Sequence, residues 1–107
     1  MLAESREIEE ALSFFSRHLD RELNISISIF DGLAQREHYR VAEVGNKGSH
    51  RHRVRLVSLN SEREIEIDLD HYSLATVTRD QKAVEITRLL GSSVSVRITA
   101  SEISHRK

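Results

Sequence analysis

The stretch Thr78–Gly91, TRDQKAVEITRLLG, decides the fold class, because it separates the strand-like middle of the chain from a closing alternating run. Its first residues, Thr78-Arg79-Asp80-Gln81, have the Thr-x-x-Gln form of a helix capping box. Ala83, Ile86, Leu89 and Leu90 then supply an apolar face with Val84 beside it, and Gly91 stands where a helix would end. This pattern predicts a helix from Arg79 to Leu90. After it, Val94, Val96 and Ile98 alternate with Ser93, Ser95 and Arg97 as a last strand.

The stretch before it, GNKGSHRHRVRLVSLNSEREIEIDLDH (Gly45–His71), reads as a loop followed by a hairpin. A two-residue turn at Asn60-Ser61 would set Leu56 opposite Ile65, Val54 opposite Ile67 and His52 opposite Leu69 on one side. On the other side Arg55 would face Glu66, Arg53 would face Asp68, and Arg51 would face Asp70. A slip of one residue would oppose apolar side chains to charges, so the parity of the pairing is well determined.

Towards the N-terminus, Ile8, Ala11, Leu12, Phe15 and Leu19 recur at helical spacing within Ser5–Asp20. Leu23, Ile25, Ile27 and Ile29 then alternate with Asn24, Ser26 and Ser28, a half-buried strand running into the turn signal Asp31-Gly32. Tyr39–Val44 and Leu74–Val77 read as shorter strands. The expected fold is therefore α+β: an N-terminal helix, an antiparallel sheet of four to five strands or a small barrel, then a C-terminal helix and a final strand. With 107 residues and no repeat, a single domain spanning 1–107 is expected.

Composition narrows the chemistry. The chain has no cysteine, which excludes disulfides, thiolate catalysis and thiolate metal sites. The formal net charge is −1, so attraction to nucleic acid would rest on a local patch. No apolar run approaches the roughly 18 residues of a membrane span, so no membrane partner is expected. The opening Met1–Arg6 lacks the basic head and apolar run of a secretory signal, which leads to an expectation of the cytoplasm.

The segments LNISISIFDG (Leu23–Gly32) and SEREIEIDLDHYSLATV (Ser61–Val77) resemble the two halves of Sm-like small β-barrel proteins, the bacterial Hfq and Rho-inhibitor Rof type, over roughly residues 5–77. The resemblance implies a bent five-stranded barrel that handles RNA or an RNA-acting protein without catalysis. Two departures stand out. Leu69-Asp70-His71 occupies the place of a Tyr-Lys-His step, putting a carboxylate where that pattern has a phosphate-attracting lysine, and the chain after Arg79 has no counterpart in that barrel.

Two constellations carry candidate sites. Lys47, Arg51, Arg53 and Arg55, with Phe30 for base stacking, form a candidate nucleic-acid or anion surface, unless Glu66, Asp68 and Asp70 already neutralise the arginines. His50, His52 and His71 would converge at the open end of the hairpin, a candidate zinc site with an open position for water and hydrolytic or hydration chemistry. No cofactor is otherwise expected. The functional expectation is a small non-catalytic regulatory or adaptor module binding RNA or an RNA-acting protein. The alternatives are an interaction or assembly protein that oligomerises, such as a phage, secretion or chaperone component, and the His-rich zinc site.

Overall fold

The computed structural model describes residues 5–29, 32–45, 52–89 and 95–103. One helix, α1 (Ser5–Arg17), precedes seven strands: β1 (Glu22–Ile29), β2 (Gly32–Val44), β3 (Arg53–Ser58), β4 (Glu64–Asp68), β5 (Leu74–Val77), β6 (Ala83–Leu89) and β7 (Ser95–Glu102). A short 3-10 turn, Leu69–His71, joins β4 to β5. All strand pairs are antiparallel, in the order β4-β3-β2-β1-β7-β6-β5. Among the described residues no helix is long and apolar enough to cross a membrane.

The expected C-terminal helix is absent: Ala83–Leu89 is the strand β6, paired with β5 on one side and β7 on the other. Val84 and Ile86 are buried while Glu85 is exposed, a period of two that the apolar positions Ala83, Leu89 and Leu90 disguised as a helical stripe. Val84, Ile86 and Thr87 are also β-branched, which suits a pleated sheet better than a helix. The residues read as a capping box instead make the β5–β6 turn. There Thr78 N–H donates to the Ala83 carbonyl at 2.9 Å and Gln81 N–H to the Thr78 carbonyl at 2.9 Å. Gln81 takes a positive φ of 59°. The sheet thus has seven strands, where four to five and a separate final strand were expected, and the fold is mostly β in place of α+β.

Connectivity forces this sheet to curl. Strands lie about 4.8 Å apart, so a flat sheet of seven would hold its edges about 29 Å from each other. The edges are β4 and β5, and the chain from Asp68 to Leu74 can reach only about 20 Å when fully extended. The strands accordingly form a curled half-barrel. α1 packs against β5, β2 and β6. Its Ile8, Ala11, Phe14 and Phe15 enter one core to which every strand contributes: Leu23 and Ile25, Tyr39 and Val41, Val54 and Leu56, Ile67, Ala75, Val84 and Ile86, Ile98 and Ala100. The helix stops at Arg17, so Leu19 lies outside it and is 47% exposed rather than in the core.

The β3–β4 hairpin has the register read from its charges: Leu56↔Ile65, Val54↔Ile67, Arg55↔Glu66 and Arg53↔Asp68. Its connection is longer than two residues, opening symmetrically so that Ser58 N–H donates to the Arg63 carbonyl at 2.9 Å. β2 extends well upstream of Tyr39 through its pairing with β1, and the sequence pattern missed this because Gln35 and Glu37 on the Tyr39 face break the apolar alternation. Ser58 Oγ donates to Glu37 Oε2 at 2.9 Å. Burial, and then the facing Glu37 carboxylate, push the Tyr39 phenol above its ordinary range. Phe14 is fully buried at the centre of the helix–sheet contact, so Phe14→Ala is expected to cost about 3–5 kcal/mol in urea unfolding. Leu12→Ala, on the partly buried flank, should cost clearly less.

Candidate functional site

Of the side chains singled out by sequence, Phe30, Lys47, His50 and Arg51 lie outside the described residues. Arg53 and Arg55 stand on the outer face of β3, where carboxylates engage both. Arg55 pairs with Glu64 at 3.1 Å and Glu43 at 3.3 Å, and Arg53 with Glu66 at 3.7 Å. Across the β3–β4 pair each arginine thus leans to a diagonal neighbour, whereas Arg55 also engages Glu43, its register partner on β2. Glu43 comes from β2, which pairs with β3.

His52 and His71 take separate carboxylates. His52 Nδ1 lies 2.8 Å from Asp70 Oδ1 and its Nε2 3.5 Å from Glu9 Oε1 on α1, while His71 Nδ1 is 3.9 Å from Asp68 Oδ2. Among the described residues no group of three His, Asp or Glu side chains is placed to hold a metal ion.

A different region gathers the accessible chemistry: the end of α1, the start of β1, the β5–β6 turn and the end of β7. His18 follows the last residue of α1. Its Nδ1 lies 2.7 Å from the Phe14 carbonyl, which can only accept, so that nitrogen carries a proton and satisfies one of the orphan carbonyls of the helix end. Nε2 lies 2.8 Å from Glu102 Oε2 on β7. The imidazole is fixed, with its side chain 7% exposed and its ring 4.5 Å from that of Phe14, whereas the Glu102 side chain is 43% exposed. Asp20, at φ 64°, then turns the chain into β1.

On the far side of Glu102, the turn holds its own carboxylate. Thr78 Oγ1 donates to Asp80 Oδ1 at 2.7 Å and Lys82 N–H donates to it at 3.0 Å. These bonds, the hydroxyl first, hold the Asp80 carboxyl below its usual range. The Arg17 guanidinium donates to Gln81 Oε1, tying the helix end to the turn.

Three adjoining concavities run around this turn. One of about 430 Å³ is lined by His18, Arg21, Glu22, Glu102 and Ile103. The next, about 420 Å³, shares Glu102 and Ile103 and adds Arg79, Asp80 and Lys82. A third, about 300 Å³, shares Thr78 and Arg79 and reaches Arg17 and Glu10 on α1. No protein-family model matches the chain, and no curated protein matches it. Its fold is similar to that in the crystal structure of Bacillus subtilis YojF protein. The two superpose with a TM-score of 0.60 at 16% identity, over 92% of this chain and 93% of that one. At this identity the likeness concerns the fold alone.

The charges of the groove are unequally occupied. Glu102 is bound by His18, and Asp80 by the turn, whereas Arg21, Arg79 and Lys82 make no ion pair among the described residues. Sequence reading missed this site because its central pair, His18 and Glu102, is 84 residues apart and belongs to no motif. The available signal was a histidine four residues after Phe14, at the end of the apolar stripe of the helix.

Because its folded pKa is lowered, the Asp80 carboxylate contributes stability that is fully present above its ordinary value of 3.8 and is lost as pH falls through the lower folded value. Asp80→Ala is therefore expected to lower Tm at neutral pH, and the gap from the parent protein should close in acid. Thermal melts across pH 2 to 7 check this.

Proposed function

We propose that this protein is a small non-catalytic adaptor that binds an acidic segment of a partner protein in the groove around the Thr78–Lys82 turn. The observation that carries this reading is the imbalance just described: Arg21 and Arg79 make no ion pair among the described residues and Lys82 reaches only Asp80, through its charge rather than an ion pair, while the carboxylates of Glu102 and Asp80 are already hydrogen-bonded. Shape supports it too, since three concavities in file suit an extended chain better than one compact molecule.

The observations favour a peptide over RNA. Arg53 and Arg55 are engaged by Glu43, Glu64 and Glu66. Phe14, Phe15, Tyr39 and Tyr72 are buried, leaving no base-stacking platform among the described aromatics. A net charge of −1 adds no long-range pull on a polyanion.

Fluorescence anisotropy with a labelled octaglutamate peptide tests the reading. Saturable binding at low salt is expected, weakening as salt screens the contact. Arg79→Glu combined with Lys82→Glu should reduce affinity by at least about tenfold, as rejection of like charge demands. Arg53→Ala with Arg55→Ala should leave it unchanged. Binding of a uridine-rich RNA oligonucleotide, with none of the peptide, would replace this reading with the RNA one.

A further inference from the structure

We infer that His18 Nε2 and Arg21 form a carboxylate-binding subsite which Glu102 fills from within the chain, so that the partner's carboxylate must displace Glu102 to dock. The inference rests on the groove reading above and adds a built-in competitor to it.

The two halves of the His18–Glu102 pair differ in freedom. His18 is anchored at Nδ1 by the Phe14 carbonyl and flanked by the Phe14 ring, and its side chain is 93% buried by the complement of its 7% exposure. Glu102 ends β7, has His18 as its one side-chain partner among the described residues, and is 43% exposed. The donor is therefore preorganised and the acceptor is free to swing into solvent. Arg21 lines the same cavity without an ion-pair partner among the described residues, and Glu22 is the other carboxylate there. Exchanging one carboxylate for another on Nε2, which donates when the ring carries a proton on both nitrogens, changes the hydrogen bond little. What protects the internal one is its tether, which gives it an effective concentration on the order of millimolar. An isolated carboxylate in solution competes poorly against that. A segment already held by Arg79 and Lys82, on the other side of Glu102, gains a tether of its own and competes on equal terms. The groove thereby selects segments with at least two separated acidic groups over those with one.

The test compares labelled octaglutamate with a peptide of the same length, alanine in place of glutamate except for one central glutamate, its C-terminus amidated. Glu102→Ala should raise the affinity for octaglutamate by about three- to tenfold, the magnitude expected from removing a tethered competitor. The same variant should narrow the preference for octaglutamate over the single-glutamate peptide. In the parent protein, the His18 imidazole NMR signals should shift when octaglutamate is added. An unchanged or lower affinity in Glu102→Ala overturns the inference. If Arg79→Glu with Lys82→Glu still weakens octaglutamate binding by at least about tenfold in that case, the groove reading survives. Absence of octaglutamate binding in both the parent protein and Glu102→Ala overturns both. His18→Gln should weaken binding, but the decision lies with Glu102→Ala, whose part-exposed site tolerates truncation even where the buried histidine does not.

Discussion

Burial of Phe14 and Phe15 inside a sheet that the chain itself forbids to lie flat is the constraint on which the remaining structure depends. The short link from Asp68 to Leu74 brings the two sheet edges towards each other, and the resulting hollow is lined by inward side chains of all seven strands. One helix of 13 residues suffices to fill it. With two adjacent phenylalanines fully buried at 0% exposure, apolar transfer outweighs any contribution from the surface ion pairs, each worth about 0–1 kcal/mol. The end of α1 is placed by that packing, and His18 with it.

The same physics explains what could be read in advance. The β3–β4 hairpin was legible because its apolar and charged residues alternate with complementary signs, so only one parity buries the former and pairs the latter. β6 was misread because Ala83 and Leu89, which complete a helical stripe with Ile86, fall on the outer face of the strand, where Leu89 is 58% exposed; the deciding evidence was the β-branched trio Val84, Ile86 and Thr87. The inward Gln35 and Glu37 of β2 break the apolar alternation and find hydrogen-bonding company that no local pattern announces. The site was less legible than the fold. His18 and Glu102 meet because β7 pairs with β1, a contact no local pattern specifies.

Electrostatic occupancy, rather than the density of charge, separates the two ends of the molecule. The β3–β4 end carries the most conspicuous run of cations in the sequence, yet Arg53 and Arg55 are matched to carboxylates and serve the sheet. Around the Thr78–Lys82 turn, the Asp80 and Glu102 carboxylates are committed to hydroxyl, amide and imidazole donors. A count of charges along the chain therefore does not tell which cations are already matched to carboxylates.

The strand order has a consequence for how the chain reaches this state. β1 to β4 form one run of neighbours added in sequence, and β5 to β7 form another, and the two meet only where β1 pairs with β7. Leu23 pairs with Glu102 and Ile29 with Val96, so this seam joins residues from the two ends of the chain and carries the largest loop-closure entropy of any strand pair. Contact order leads to the expectation that the two meanders form before their seam closes. The His18–Glu102 bond lies at one end of that seam, so the pairing with the largest loop-closure entropy is also the one that assembles the groove.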